Sequence, residues 1–280
     1  MILSHIHWNV DPEIFKIFGI SLQYYGILFV GGLVLAGYFL KKLFADNKIP
    51  VEYLEKLIWY CFFGIFIGAR LGHCLFYQLD YYLANPLEII LPFAQTAGGS
   101  YEFIGYRGLA SHGGAIGLTI AIICYCLKTK QNSIRTLDYI AIVTPIAACF
   151  IRLANLMNSE IIGTPTDVPW AFIFERVDNI PRHPAQLYEA IAYLTLFFIN
   201  ISLYKRTKLL QNKGFFFGLT ITVIFGFRFF VEFIKERQVE FEELMKLDMG
   251  QILSIPFVVA GIGFIFYSLS KGKVEIKKQK

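Results

Sequence analysis

Charged residues are scarce in this sequence, and their scarcity argues against an ordinary soluble domain. Lys, Arg, Asp and Glu make up 17% of the 280 residues, and 56% of the residues are hydrophobic. Soluble proteins carry roughly a quarter charged residues and about half apolar ones. The mean hydropathy is +0.54. This excess of apolar residues points to an integral membrane protein.

A cleavable signal peptide and a cysteine framework are also missing. The first eighteen residues carry a single basic residue, Lys16, so the first helix is expected to be retained. The five cysteines all fall inside apolar blocks and form no Cys-x-x-Cys pair. We therefore interpret them as packing residues and expect neither a metal site nor a cofactor. The absence of an internal repeat argues against the inverted-repeat plan of many transporters.

The apolar residues are concentrated in seven blocks. Most have about 20 residues, enough at ~1.5 Å per residue for a helix to cross a ~30 Å hydrocarbon core. The blocks are Gly19–Leu40, Leu57–Leu79, His112–Leu127, Leu137–Met157, Pro184–Tyr204, Gly214–Ile234 and Gly250–Ser270. They predict an all-α integral membrane protein with seven transmembrane helices that forms a single polytopic domain over residues 1–280.

The basic residues predict the orientation. Sixteen of the 26 Lys and Arg residues fall in the connections and tail on one side, which the positive-inside rule makes cytoplasmic. The N-terminus is then outside and the C-terminus inside, and the net charge of +5 needs no nucleic acid to explain it. The outer connections, about 80–111 and 159–183, are long and rich in Pro, Gly and aromatic residues. We expect them to form an ordered periplasmic cap.

Three arginines lie inside the apolar blocks at one depth. Arg70, Arg152 and Arg228 each lie roughly 20–22 Å above the inner boundary, counted at ~1.5 Å per residue. An arginine near the core costs at least ~2.5–3.5 kcal/mol and normally has a partner. Structural ion pairs are one explanation, and Glu232, one turn after Arg228, is an expected partner. Three guanidinium groups in one layer also suit the phosphate of a phospholipid headgroup.

Other polar side chains are predicted at the same level. His112 precedes two glycines, Tyr25 lies near the outer end of the first span, and Asn155 shares a helix face with Arg152. Glu160 follows where the fourth helix emerges. A histidine at this boundary can be merely interfacial, but its place in the arginine layer favours a catalytic role.

Seven sequence blocks carry a family resemblance that covers nearly the whole chain. The most specific is Arg152-Leu-Ala-Asn-Leu-Met-Asn-Ser-Glu-Ile-Ile-Gly163. The others are Tyr25-Gly26, Gly68-Ala-Arg-Leu-Gly72, His112-Gly-Gly-Ala-Ile-Gly117, Pro181-Arg-His-Pro-Ala-Gln-Leu-Tyr-Glu189, Arg228-Phe-Phe-Val-Glu232 and Met249-Gly-Gln-Ile-Leu-Ser-Ile-Pro256. Together they resemble the prolipoprotein diacylglyceryl transferases of bacteria. Ile224 departs from the pattern, since the family commonly has a tyrosine one turn before the last arginine, and the loop 95–109 looks elaborated.

The resemblance implies a reaction and its partners. The family transfers the sn-1,2-diacylglyceryl group from phosphatidylglycerol to the lipobox cysteine of a preprolipoprotein, at the outer face of the bacterial inner membrane. A thioether forms and glycerol phosphate is released. The nucleophile belongs to the substrate, so the enzyme needs none of its own. A free thiol has a pKa of ~8.5 and benefits from a nearby base.

The resemblance and this chemistry together suggest residue roles. His112 is the expected base, and Arg152 and Arg228 are expected to stabilise the charge on the leaving group. The predicted substrate-binding residues are Tyr25, Arg70, Arg152, Asn155, Glu160, Gly163 and Glu232, with Glu232 orienting Arg228. Two rival hypotheses are a transporter of an anionic lipid or solute and a structural membrane subunit.

Overall fold

The computed structural model describes residues 5–17, 20–91, 93–95, 101–103, 108, 110–237 and 246–278. Over these residues the chain forms nine α-helices and seven short strands. The helices are α1 Tyr24–Asp46, α2 Val51–Phe76, α3 Leu79–Ala84, α4 Leu87–Ile90, α5 Ser111–Thr129, α6 Ser133–Met157, α7 Ala185–Arg206, α8 Phe215–Val231 and α9 Met249–Lys278. The strands are β1 Ile6–Trp8, β2 Glu13–Ile17, β3 Ile20–Gln23, β4 Phe93–Gln95, β5 Tyr101–Phe103, β6 Phe172–Phe174 and β7 Pro181–Arg182.

Seven helices of the described chain are long and apolar enough to cross a membrane: α1, α2, α5, α6, α7, α8 and α9. The prediction of a seven-span, all-α membrane protein is therefore confirmed. The start of the first span differs, because α1 begins at Tyr24 and not at Gly19. The preceding residues pair instead as an antiparallel hairpin of β2 and β3, with Lys16 opposite Ser21.

The chain groups into two compact units, one of residues 1–43 and 137–280 and one of residues 44–136. The smaller unit is built on the packing of α2 against α5. Glycines of α2 face glycines of α5, and a Cβ added at Gly68 or Gly113 would collide with the backbone of the other helix. Such small residues let two membrane helices approach closely. The connection 80–111, which the sequence predicts to be on the outer side, belongs to this unit and lies partly outside the described residues.

In the larger unit, a buried carboxylate joins α6 to the start of α8. Asp138 is fully buried, and its Oδ2 accepts from the backbone N–H of Gly214 at 2.7 Å. Its Oδ1 accepts from the N–H of Phe217 at 3.0 Å. The first N–H groups of a helix have no partner within the helix, and a carboxylate there also complements the helix dipole.

Replacing Asp138 by alanine is expected to lower the free energy of unfolding by about 2–3 kcal/mol, because two buried N–H groups lose a charged acceptor. Thermal unfolding in detergent measures the change. The exposed Asp167 provides the control, since Asp167→Ala removes a carboxylate that no buried donor uses among the described residues. Equal melting temperatures for the two variants would contradict this account of Asp138.

The connection between α6 and α7 is an ordered structure in the same unit. Strand β6 pairs in parallel with β1 and antiparallel with β7. Phe172 and Phe174 of β6 form a core cluster with Leu156 and Ile162. Trp8 packs on this cluster and donates from Nε1 to the carbonyl of Leu156 at 3.0 Å. The connection is thereby fixed directly beyond the end of α6.

Candidate active site

Three predicted site residues form one hydrogen-bonded chain at the end of α6. Arg152 Nη1 donates to Asn155 Oδ1 at 3.3 Å, and Asn155 Nδ2 donates to Glu160 Oε2 at 3.0 Å. Asn158 Nδ2 donates to the other carboxylate oxygen, Oε1, at 3.0 Å. The spacing of three residues between Arg152 and Asn155 places both on one helix face, as the sequence predicted.

The backbone around Glu160 is strained. Ser159 and Ile161 have φ angles of 54° and 57°, in the left-handed region that β-branched residues rarely adopt. Such a residue costs of order 1–3 kcal/mol and persists only where its surroundings hold it. The Glu160 N–H donates to the carbonyl of Asn155 at 2.9 Å, and the side-chain amide of Gln186 donates to the Glu160 carbonyl. Strain at a fixed polar residue is typical of functional sites.

A fully buried carboxylate of α7 holds the other side of Arg152. Glu189 is 0% exposed, and its Oε2 lies 3.1 Å from Arg152 Nε. Tyr193 OH donates to Oε1 at 3.0 Å. Because Asn155 and Glu189 contact different nitrogens, the guanidinium is fixed in orientation while 15% of the side chain stays exposed.

Lys235 is a site residue that the sequence analysis missed. Its Nζ lies 3.1 Å from Glu189 Oε2 and donates to Glu232 Oε2 at 3.2 Å, and its side chain is 5% exposed. The Glu189 contacts with Arg152 and Lys235 are ionic, since Oε2 has no hydrogen-bond partner of good geometry among the described residues. We call Arg152, Asn155, Glu160, Glu189, Glu232 and Lys235 the Arg152 cluster.

The expected pairing of Glu232 with Arg228 is wrong. Glu232 forms its ion pair with Lys235, and its carboxylate lies against Gly250 in the first turn of α9, where the helix dipole favours an anion. These two partners outcompete the arginine one turn back. Arg228 is half-buried, and its Nε is buried without a hydrogen-bond partner in the part of the chain that the structure describes.

Gly163 lies where three segments cross. Its N–H donates to the carbonyl of His183 at 2.9 Å, and it pairs across an isolated antiparallel bridge with Lys235. A Cβ there would collide with His183 and with the carbonyl of Ile234. The lack of a side chain at Gly163 therefore lets the backbone of Lys235 lie against the α6–α7 connection.

A second ion-pair group, around Arg182, fixes the α6–α7 connection. Its guanidinium donates to both oxygens of Asp178, and the distance from Nη2 to Oδ2 is 2.6 Å. Nη1 of the same guanidinium lies 3.0 Å from Glu236 Oε2. The hydrogen bonds from Arg182 lower the pKa of Asp178, and the same bonds raise the pKa of Arg182. Burial lowers the pKa of His183, the next residue, which favours its neutral form. The Pro-Arg-His-Pro block is one of the family blocks, but its sequence does not predict these partners.

With this geometry established, comparison with known proteins is decisive. The family model described as prolipoprotein diacylglyceryl transferase matches residues 12–267. The chain belongs to the prolipoprotein diacylglyceryl transferase family.

Curated members of the prolipoprotein diacylglyceryl transferase family match along their whole length. A protein of Bacteroides fragilis named phosphatidylglycerol–prolipoprotein diacylglyceryl transferase is 57% identical over 274 residues, 98% of this chain and 99% of the relative. A protein of the same name from Tolumonas auensis is 41% identical over 94% of this chain, and one from Chloroherpeton thalassium is 40% identical over 97% of this chain. Each match covers 97% of the relative's own length. The resemblance inferred from the seven blocks is therefore confirmed.

The departure of this chain from the transferase family pattern, Ile224, lies beside the Arg152 cluster. Ile224 packs on an apolar group that contains Cys149, Ala190 and Tyr193. Tyr193 directs its hydroxyl to Glu189. A tyrosine hydroxyl therefore reaches the cluster from α7, although none is present at position 224.

Arg70 and His112, two further residues of the transferase family blocks, belong to the smaller unit. Arg70 donates from Nε to the carbonyl of Ile89 at 3.1 Å, from Nη2 to that of Glu88 and from Nη1 to that of Gly108 at 3.5 Å. Its guanidinium also lies 5.0 Å from the ring centre of Tyr82. These contacts tie α4 and Gly108 to α2 and account for the burial of Arg70, whose predicted role in binding substrate stays a prediction.

His112 is exposed in the first turn of α5 and makes no hydrogen bond with the described residues. Gly113 and Gly114, which follow it, are buried. Tyr25, in the first turn of α1 and in the larger unit, is half-buried and stacks on Phe29 at 6.5 Å. The roles of His112 and Tyr25 stay predictions.

Proposed function

We propose that the protein transfers the sn-1,2-diacylglyceryl group of phosphatidylglycerol to the lipobox cysteine thiol of a preprolipoprotein, the first step of lipoprotein maturation. The observation that carries this proposal is Arg152, a partly exposed guanidinium that a buried carboxylate and an amide hold at the end of a membrane-spanning helix. A planar, oriented fork of this kind suits a phosphate better than a mobile cation does. Membership of the transferase family supports the same activity.

The reaction joins the substrate sulfur to the glyceryl carbon that carries the phosphate. The bond between that carbon and its phosphate oxygen breaks, and the electron pair goes to the oxygen. Glycerol phosphate then leaves with one more negative charge than the phosphodiester had. Arg152 and Arg228 lower the energy of this developing charge. His112 takes the thiol proton, which makes the sulfur a better nucleophile.

The remaining site residues bind and orient the lipid. Asn155 and Glu160 hold Arg152 in register and offer hydrogen bonds to the glycerol hydroxyls, and Tyr25 contributes a further hydroxyl. Gly163 leaves room for Lys235, and Glu232 holds Lys235 through their ion pair without contacting the lipid. Arg70 supports the outer loop of the smaller unit and completes the set of predicted substrate-binding residues.

Incubation of the purified protein with phosphatidylglycerol and a synthetic lipobox peptide tests this function. We expect the intact mass of the peptide to rise by one diacylglyceryl group, and a peptide with serine in place of the cysteine to stay unmodified. A transporter of anionic lipid or a structural subunit would leave both peptides unchanged. That outcome would contradict the proposed activity.

We further propose that the protein lies in the bacterial inner membrane with its site toward the periplasm. The clustering of Lys and Arg predicts that a reporter fused after Lys280 reads cytoplasmic. A reporter inserted beside Asp167, in the exposed part of the α6–α7 connection, is expected to read periplasmic. Both reporters on one side would contradict this orientation.

Because the nucleophile is the thiol of the substrate, replacing all five cysteines by alanine or serine is expected to keep turnover within about threefold of the wild-type rate. Cys74, Cys126 and Cys149 are buried, so we expect a lower melting temperature from lost packing. The peptide assay and thermal unfolding measure the two effects. Complete loss of turnover in a folded variant would instead indicate an enzyme-bound intermediate.

A further inference from the structure

Lys235 is a buried ammonium group for which the proposed mechanism has no use. It follows the 3₁₀ turn Glu232–Ile234, which extends α8. The backbone on either side is fixed, since Thr164 N–H donates to the carbonyl of Ile234 at 2.9 Å and Glu236 N–H to that of Ile162 at 3.1 Å. The ammonium group is thus held in place by the α6–α7 connection.

The contacts of Lys235 make it a counterion shared by two carboxylates. Its Nζ lies 3.1 Å from Glu189 Oε2, the oxygen that also contacts Arg152, and 3.2 Å from Glu232 Oε2. Glu189 is fully buried, and a buried carboxylate that lacks a cation is costly. With Lys235 present, two cations face these two carboxylates. Without Lys235, Glu189 would keep its contact with Arg152, and Glu232 would lose the cation that it contacts among the described residues.

We infer that Lys235 is a positioning residue that neutralises Glu189 and Glu232 and so keeps the charge of Arg152 available to the phosphate of the lipid. This inference rests on the proposed function. Glu189 orients Arg152 but, as an anion, also repels a phosphate placed on the same guanidinium. Lys235 cancels that repulsion from the side, without itself contacting the substrate.

The effect is expected in binding and in the chemical step. The phosphate carries one negative charge in the ground state and gains more as the carbon–oxygen bond breaks, so an uncompensated carboxylate opposes both states, and the transition state more. The part of the effect that both states share raises KM, and the part that only the transition state adds lowers kcat. Removing the Glu232 carboxylate together with Lys235 restores the balance of one cation and one carboxylate. A merely structural role of Lys235 does not predict that lipid binding then recovers.

The experiment compares Lys235→Met, Lys235→Gln and the double variant Lys235→Met/Glu232→Gln with the wild-type protein. The exposed Lys208 supplies the control, Lys208→Met. Each protein is checked for folding by thermal unfolding, and then the Kd for phosphatidylglycerol, KM and kcat are measured. We expect both single variants to raise Kd and KM about tenfold or more, the effect of roughly 1.4 kcal/mol, and to lower kcat by up to about tenfold as well. We expect the double variant to return to within about threefold of the wild-type KM.

Unchanged Kd and KM in a folded single variant would overturn the inference, and so would a folded double variant that still binds the lipid weakly. If neither single variant folds, the Kd of the double variant tests the inference, which requires a value within about threefold of the wild-type Kd. A wild-type protein that binds phosphatidylglycerol but transfers nothing would contradict the proposed function. The Kd values would still test the role of Lys235 in that case.

Discussion

Replacing Arg152 by lysine is expected to give a folded, membrane-inserted protein that is nearly inactive. A lysine keeps the charge and can reach Glu189, but one ammonium group cannot contact Glu189 and Asn155 and also present a planar fork to a phosphate. By analogy with the loss of one oxyanion donor, the cost is about 2.7–4 kcal/mol, or roughly 100- to 1000-fold in rate. The lipobox-peptide assay at limiting and saturating phosphatidylglycerol measures it.

The control for this variant is Arg176→Lys. Arg176 is an exposed arginine of the α6–α7 connection that donates to the backbone carbonyl of Val10. We expect this variant to keep wild-type turnover, because its side chain has no part in the Arg152 cluster. Normal turnover by Arg152→Lys at both lipid concentrations would remove Arg152 from the site and leave it as a structural ion-pair partner of Glu189.

Replacing His112 by glutamine is expected to lower kcat by about 100- to 10,000-fold, the usual contribution of a general base. The side chain is exposed, so we expect no loss of stability. The KM for phosphatidylglycerol should change little, since the base acts on the peptide thiol and not on the lipid phosphate. Steady-state kinetics with each substrate varied in turn separates these effects.

His7→Gln is the matched control, because His7 is an exposed histidine whose Nδ1 lies 2.7 Å from Glu175 Oε1 in the larger unit. We expect it to leave kcat unchanged. If His112→Gln turns over at the wild-type rate, another group takes the thiol proton. The reaction that we propose would survive that result, but the assignment of the base would not.

Local spacing explains why part of the site was predictable. Arg152 and Asn155 are one turn apart on a helix, and Glu160 follows within the same short block, so their proximity depends on few degrees of freedom. The seven spans were predictable because a hydrocarbon core requires long apolar helices.

The errors lie where contacts come from distant segments. The spacing of Arg228 and Glu232 suggested an ion pair, but helix spacing alone does not report the competing Lys235 and Gly250. Lys235 itself follows the end of a helix, and only its burial and its contacts with Glu189 and Glu232 show that its side chain is turned inward. The predicted first span begins too early because Ile20 and Leu22 of strand β3 are apolar and directly precede the apolar residues of α1.

The central claim is that the glycerol phosphate group leaves by cleavage of its carbon–oxygen bond while the substrate sulfur takes its place. Phosphatidylglycerol labelled with ¹⁸O at the oxygen between the diacylglyceryl carbon and phosphorus tests this directly. After incubation with the lipobox peptide, mass spectrometry of both products locates the label. The account predicts that all of the label is found in glycerol phosphate and none on the thioether peptide. Label recovered in free diacylglycerol, with a glycerol phosphoryl group on the peptide sulfur, would mean that the phosphorus–oxygen bond breaks instead, and would contradict the role of Arg152 and Arg228 as stabilisers of a phosphate leaving group.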